Sequence, residues 1–225
     1  MFQRWRNLLF AHWPIDPGIV RPLVPAPLEL ETRDGSAWIA VTPFRIESLR
    51  VRALPPVPGT SDFPELNVRT YVRYGGKPGV YFFSLDADNA LAVAGARALY
   101  RLPYHWSKMA IRRENDLVTY TSSRRGWEEA DFRAVYGPEG PEYRSEEGSL
   151  VHWLTERYCL YTVYGSKVSR VEIDHEPWPL QPARAELRCL DVAAAAKLPV
   201  TSPAPLLHFA ASIDVHIWLP APVRR

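Results

Sequence analysis

The sequence predicts an α+β fold: a curved, antiparallel-rich β-sheet or barrel with two or three helices inserted among its strands. Three observations predict it. Several segments alternate apolar and polar residues with a period of two, the mark of a half-buried strand. Only a few stretches suit a helix, so the long βα alternation of a Rossmann or TIM architecture is missing. Proline outnumbers glycine, 22 to 12, and punctuates the chain with turns whose φ is preset.

Each element has its own signal. Met1-Phe2-Gln3-Arg4-Trp5-Arg6 is charged, and His12, Pro14 and Asp16 interrupt the apolar residues after it, so neither a signal peptide nor a membrane anchor is expected. Trp38, Ile39, Ala40, Val41 and Thr42 open a strand after the Asp34-Gly35 turn signal. Leu66, Val68, Thr70 and Val72 alternate with Asn67, Arg69, Tyr71 and Arg73. After Gly75, Gly76 and Pro78, residues 80–85 are bulky at nearly every position and read as a strand buried on both faces. Asn89 caps a helix over residues 90–100, stopped before Pro103. Strands are expected next at 104–112, 117–122, 158–164, 168–173 and 213–219, with a helix at 150–157 and an Ala-rich turn at 192–197. Proline clusters at 22–27, 55–58 and 199–205 separate these segments without making a linker, so residues 1–225 read as one domain.

Composition narrows the function. The 225 residues are 47% hydrophobic and 23% charged, an ordinary globular balance. A net charge of +2 and the isolated doublets Arg124-Arg125 and Arg224-Arg225 give no basic stripe for nucleic acid. No apolar run is long enough to span a bilayer. Cys159 and Cys189 read as free thiols of a reducing cytoplasm rather than a disulfide. Eight Trp, 11 Tyr and 8 Phe imply a large core or a large lined cavity.

The strand carrying Glu65, Asn67, Arg69, Tyr71 and Arg73 on one face either washes that face in solvent or turns it into a barrel lumen, where polar groups converge on a ligand. Nearby Trp38, Phe82, Phe83, Tyr104 and Trp106 favour the lumen. His105, beside Tyr104, titrates near neutrality and suits general acid–base work; a core imidazole is the alternative. Lys108 is a nucleophile only if desolvated, and more simply extends to solvent. Glu156 and Arg157 end a helix and either aim a charged pair into the cavity mouth or form a surface pair. Asp174-His175-Glu176 is polar, but no H-E-x-x-H or cysteine-rich spacing calls for a metal. No G-x-S-x-G, Walker or G-x-G-x-x-G motif is present, so no cofactor is expected.

Taken together, Phe10-Ala11-His12-Trp13-Pro14, residues 63–71 (FPELNVRTY), Leu102-Pro103-Tyr104-His105-Trp106, Leu154-Thr155-Glu156-Arg157-Tyr158 and Trp178-Pro179-Leu180-Gln181-Pro182 resemble the domain-of-unknown-function 2071, or YqjF-like, family over nearly the whole chain. Residues 23–30 and 89–104 are more distantly similar to acetoacetate decarboxylase. That resemblance implies a curved, barrel-like sheet around a mostly apolar cavity. It also departs from the decarboxylase, which forms a Schiff base through the first lysine of Pro-Lys-Lys: here the triplet is Pro103-Tyr104-His105. Lys108 lies four residues on, about 13 Å along a strand, too far to substitute.

Three functions are expected from these residues. In the first, Asn67, Arg69, Tyr71, Trp106, Glu156 and Arg157, with Tyr104 and His105, surround a small polar or anionic ligand. In the second, that cavity is a lyase or isomerase site with His105 carrying the proton and Arg69 clamping a carboxylate. In the third, the aromatic surplus is core and oligomer interface, with Trp5, Trp13, Trp127 and Trp178 as contact residues.

Overall fold

The computed structural model describes residues 1–51, 55, 59–125, 129–200 and 204–223. Trp127, Arg224, Arg225 and parts of the second and third proline clusters lie outside them. The chain runs β1 (Phe2–Ile15), α1 (Pro17–Val20), a 3-10 turn (Arg21–Leu23), β2 (Glu29–Leu30), β3 (Ala37–Arg50), β4 (Phe63–Tyr74) and β5 (Lys77–Ala87). Then come α2 (Ala90–Tyr100), β6 (Tyr104–Glu114), β7 (Leu117–Arg124), β8 (Ala130–Pro138), α3 (Leu150–Thr155), β9 (Cys159–Tyr164) and β10 (Lys167–Asp174). The chain continues through β11 (Leu180–Leu190), α4 (Asp191–Ala195), β12 (Leu206–Ile217) and β13 (Ala221–Val223).

Pairing closes the sheet on itself twice. One circuit runs β1-β3-β4-β5-β9-β10-β12 and returns to β1; the other runs β1-β3-β4-β5-β6-β7-β8-β11-β12 and returns to β1. Most pairs are antiparallel, but β5 meets both β6 and β9 in parallel. The β5–β9 closure rests on one residue pair, Val80 with Leu160. It is tight because Gly79 has no side chain: a Cβ there would stand 2.7 Å from Cys159 Sγ and 2.8 Å from the Cys159 carbonyl oxygen.

The shared strands explain why β1 escaped the sequence reading. Every residue from Leu8 to Trp13 is buried, because one face packs with Leu9, Ala11 and Trp13 in one core and the other with Leu8 and Phe10 in a second. A strand with apolar cores on both sides shows no alternation; β4, buried on both faces too, alternates because the face it turns to the cavity is polar. What reads as an interrupted terminus is a 14-residue strand, with Asn7 at φ 52° marking its irregularity and Pro14 near its end. β7, which belongs to one circuit, alternates cleanly. β8 and β11, which the sequence reading also lacks, pair with each other.

The helices sit close to expectation. Asn89 Oδ1 accepts from the Ala92 N–H at 3.0 Å and caps α2, while Arg101 closes it in the left-handed region at φ 53°. Ser149 caps α3, which ends at Thr155 rather than residue 157. Four α-helices are present among the described residues, one more than the upper expectation, because the short α1 follows β1. Both thiols are free, Cys159 buried and Cys189 half-buried. Trp13 and Trp178 are 2% exposed, so they are core residues and not interface contacts; Trp5 is half-buried and stacks on Trp178.

Candidate functional site

The circuit through β9 and β10 encloses a cavity of about 350 Å³. Its walls are mostly apolar, with Trp5, Leu8 and Phe10 from β1, Phe44 and Ile46 from β3, and Val80, Phe82 and Leu85 from β5. A register shift opposite the Val68/Arg69 step of β4 lets both Phe82 and Leu85 face inward. α2 lies along the opening, where Leu91 and Leu99 line the cavity while remaining 73% and 65% exposed.

The polar groups come chiefly from one strand face. Glu65, Asn67 and Arg69 of β4 point into the cavity at two-residue spacing, while Leu66 and Val68 pack in the other core. Thr42 of β3, in register with Asn67, donates its hydroxyl hydrogen bond to Asn67 Oδ1. Tyr104, at the start of β6, lines the cavity and donates from its hydroxyl to Glu65 Oε2 at 2.8 Å. Glu65 is buried, and desolvation pushes its carboxyl from 4.5 to about 7, with the Tyr104 hydrogen bond pulling it down and nearby Asp86 pushing it up. Burial and the neighbouring Glu65 carboxylate raise the Tyr104 phenol well above its ordinary value.

Arg69 is 8% exposed, and its Nε and Nη2 have no hydrogen-bond partner. These two nitrogens form one edge of the guanidinium. The same edge of Arg124 holds Asp86 at 2.7 and 2.6 Å, and that of Arg4 holds Asp214 at 2.6 and 3.0 Å. Arg157 enters from just beyond α3, fixed by its Nε bond to the Trp153 carbonyl oxygen at 2.7 Å and by an ion pair with Glu31.

Of the residues singled out from sequence, the fold brings Asn67, Arg69, Tyr104 and Arg157 to one cavity. Tyr71 lies immediately behind, fully buried, its ring 5.1 Å from Arg157 Cζ. The others point elsewhere. His105 follows Tyr104 on a strand, so its side chain leaves by the opposite face; it is in register with Asp86 and does not line the cavity. Trp106 is 53% exposed, because β6 has by then diverged from the cavity. Glu156 turns away from Arg157 to accept from the Trp178 N–H and the Tyr158 hydroxyl. Lys108 is exposed.

Glu65 and His175 are among the lining residues the site expectation left out. Glu65 belonged to the polar face but was indistinguishable there from a solvent carboxylate; only burial sets it apart. His175 lines the cavity, donates from Nδ1 to the Glu176 carbonyl oxygen at 2.7 Å, and stacks on Tyr158. Among the described residues no cluster of three or more His, Cys, Asp or Glu is arranged to hold a metal, and no helix is long and apolar enough to cross a membrane.

Comparison with known proteins gives a consistent picture. Residues 2–214 match the model of the DUF2071 family, described as an uncharacterized conserved protein. The chain is 49% identical over 218 residues to the uncharacterized protein YqjF of Bacillus subtilis (strain 168), covering 97% of this chain and 90% of that one. In three dimensions it is similar to acetoacetate decarboxylase from Legionella pneumophila, with TM-score 0.66 and 16% identity over 99% of this chain and 87% of that one. It is also similar to the enduracididine biosynthesis enzyme MppR complexed with pyruvate, with TM-score 0.63 and 13% identity over 97% and 89% of the two chains. At these identities the structural likeness carries the fold alone.

Proposed function

We propose, on the premise that the chain belongs to the DUF2071 family and has an acetoacetate decarboxylase-like fold, that its cavity binds a small organic molecule bearing a negative charge. One observation carries this reading: the Arg69 guanidinium stands buried in the wall with an unpartnered edge, a geometry that suits a carboxylate. A buried cation without a counter-charge is costly unless something supplies one. The MppR complex with pyruvate is compatible, since pyruvate is a small carboxylate held in a similar fold. None of the described lining residues is a lysine, so this reading asks for no Schiff base.

The test is a thermal-shift panel of carboxylates, ketones and enols on wild type and Arg69→Gln. Stabilisation by carboxylates in wild type, lost in the variant, supports the proposal. No shift with any compound overturns it.

A second reading makes the cavity an acid–base enzyme. A carboxyl titrating at about 7 beside a phenol is what favours it, because a proton carrier works best near the ambient pH. Glu65 takes the part that sequence reasoning gave to His105, whose side chain faces away from the cavity. Ligands that stabilise the protein are incubated in deuterated water and examined for hydrogen exchange beside their carbonyls. Exchange abolished by Glu65→Gln but kept in His105→Ala supports this reading; exchange equal in Glu65→Gln and wild type removes it. The non-catalytic structural reading needed a filled interior beside Tyr104, and the open volume there counts against it.

A further inference from the structure

Behind Arg69 the cavity wall holds a group of polar atoms that nothing satisfies. His12 is fully buried with both ring nitrogens unpartnered, and the Tyr71 hydroxyl is fully buried beside Arg69 without a well-aligned hydrogen bond. Arg157, 6% exposed, leaves Nη2 without a partner. These side chains are neighbours around one ring: Tyr71 lies 5.9 Å from Arg69 Cζ, 5.1 Å from Arg157 Cζ and 6.2 Å from the His12 ring. Buried polar groups are nearly always paired, so such a concentration calls for an occupant.

The inventory says what that occupant must be. Arg69 offers the N–H bonds of two nitrogens, Arg157 those of one and Tyr71 a hydroxyl, while burial and the adjacent Arg69 charge hold the His12 imidazole neutral, leaving it one donor and one acceptor. Glu31 is the carboxylate paired with Arg157, and it is already shared: Oε2 accepts from Arg157 and Oε1 from Arg73 at 2.6 Å. Arg69 has no such partner, so one buried positive charge remains over. Water would satisfy donors but not that charge. A single carboxylate does both, because its two oxygens match the side-on edge of a guanidinium. Outward from this point the wall is largely apolar, with Phe10, Phe44 and Phe82, and its polar side chains Thr42, Asn67, Tyr104 and Glu65 are paired with one another. The rest of the ligand is therefore mostly apolar.

We propose that Arg69 and Arg157, which line the cavity, with Tyr71 and His12 directly behind them, form an inner anion subsite at the α3 end of the cavity. It takes the head of an amphipathic monocarboxylate, whose hydrocarbon body lies against the aromatic wall towards α2. This rests on the ligand-binding reading above and adds to it the orientation and the chemical class.

Octanoate and octanol share a chain and differ in the head, so they separate the two ideas. Calorimetric titration is run with each on wild type and on Tyr71→Phe, with folding checked by circular dichroism. Octanoate is expected to bind at least about tenfold more tightly than octanol, the scale of a charge-assisted hydrogen bond. Tyr71→Phe is expected to weaken octanoate several-fold and leave octanol unchanged. Octanol binding as tightly as octanoate, or octanoate affinity unmoved in Tyr71→Phe, overturns the inner subsite while the cavity stands. Binding of neither overturns both. If Tyr71→Phe does not fold, a crystal structure of wild type with octanoate decides: a carboxylate at Arg69 and Tyr71 supports the proposal, and one at the α2 mouth overturns it.

Discussion

Glu65→Gln isolates the unusual carboxyl of the cavity. In the folded chain burial raises that group from 4.5 to about 7. Between those values the folded state holds a proton that the unfolded state has released, so stability falls as pH rises through the window and levels off above it. A separation of about 2.5 pH units, at about 1.4 kcal/mol each, makes the ionised Glu65 cost about 3 kcal/mol at pH 8. Glutamine never ionises, and its amide oxygen can still accept from Tyr104. Wild type and variant should therefore be similar in stability near pH 4. At pH 8 the variant should be the more stable by about 3 kcal/mol, or about 6–12 °C in Tm for a domain of this size. The assay is urea unfolding of both proteins across pH 4–8. Subtracting one curve from the other cancels the histidines, whose lowered values act with the opposite sign. A difference that is the same at pH 5 and pH 8, or that grows towards acid, would refute the reasoning.

Other perturbations test neighbouring parts. Tyr104→Phe removes the hydrogen bond that holds Glu65 down, so an NMR titration of the side-chain carboxyl carbons should move the Glu65 midpoint above that of wild type. Arg124→Met strips the fully buried Asp86 of its bidentate partner and should cost about 3–5 kcal/mol in urea unfolding; adding Asp86→Asn should recover part of the loss. Gly79→Ala forces a Cβ against the Cys159 backbone at the β5–β9 closure and should cost about 1–3 kcal/mol by overpacking. An unchanged denaturation midpoint in Gly79→Ala would mean that β9 yields without strain.

Much of the architecture was readable from local pattern. The alternation of residues 66–73, the Asn89 cap and the Gly75-Gly76 turn each depend on neighbours in sequence, and β4, β5 and α2 stand where those signals put them. The polar face of β4 was readable too, because a period of two fixes which residues point together. Strand β1 was not. Its burial on both faces comes from β3, β12 and the two cores they border, partners more than twenty residues away along the chain.

The site divides along the same line. Residue order alone determined that Asn67 and Arg69 share a face with Glu65. Only tertiary structure decided that Tyr104 reaches Glu65 across 39 residues and that Arg157 joins Arg69. Tertiary structure also turned His105 outward and left the Arg69 edge buried without a protein partner. The reason is physical: periodicity sets direction within an element, but burial, and with it the proton affinity of a carboxyl and the need of a guanidinium for a partner, comes from the elements packed around it.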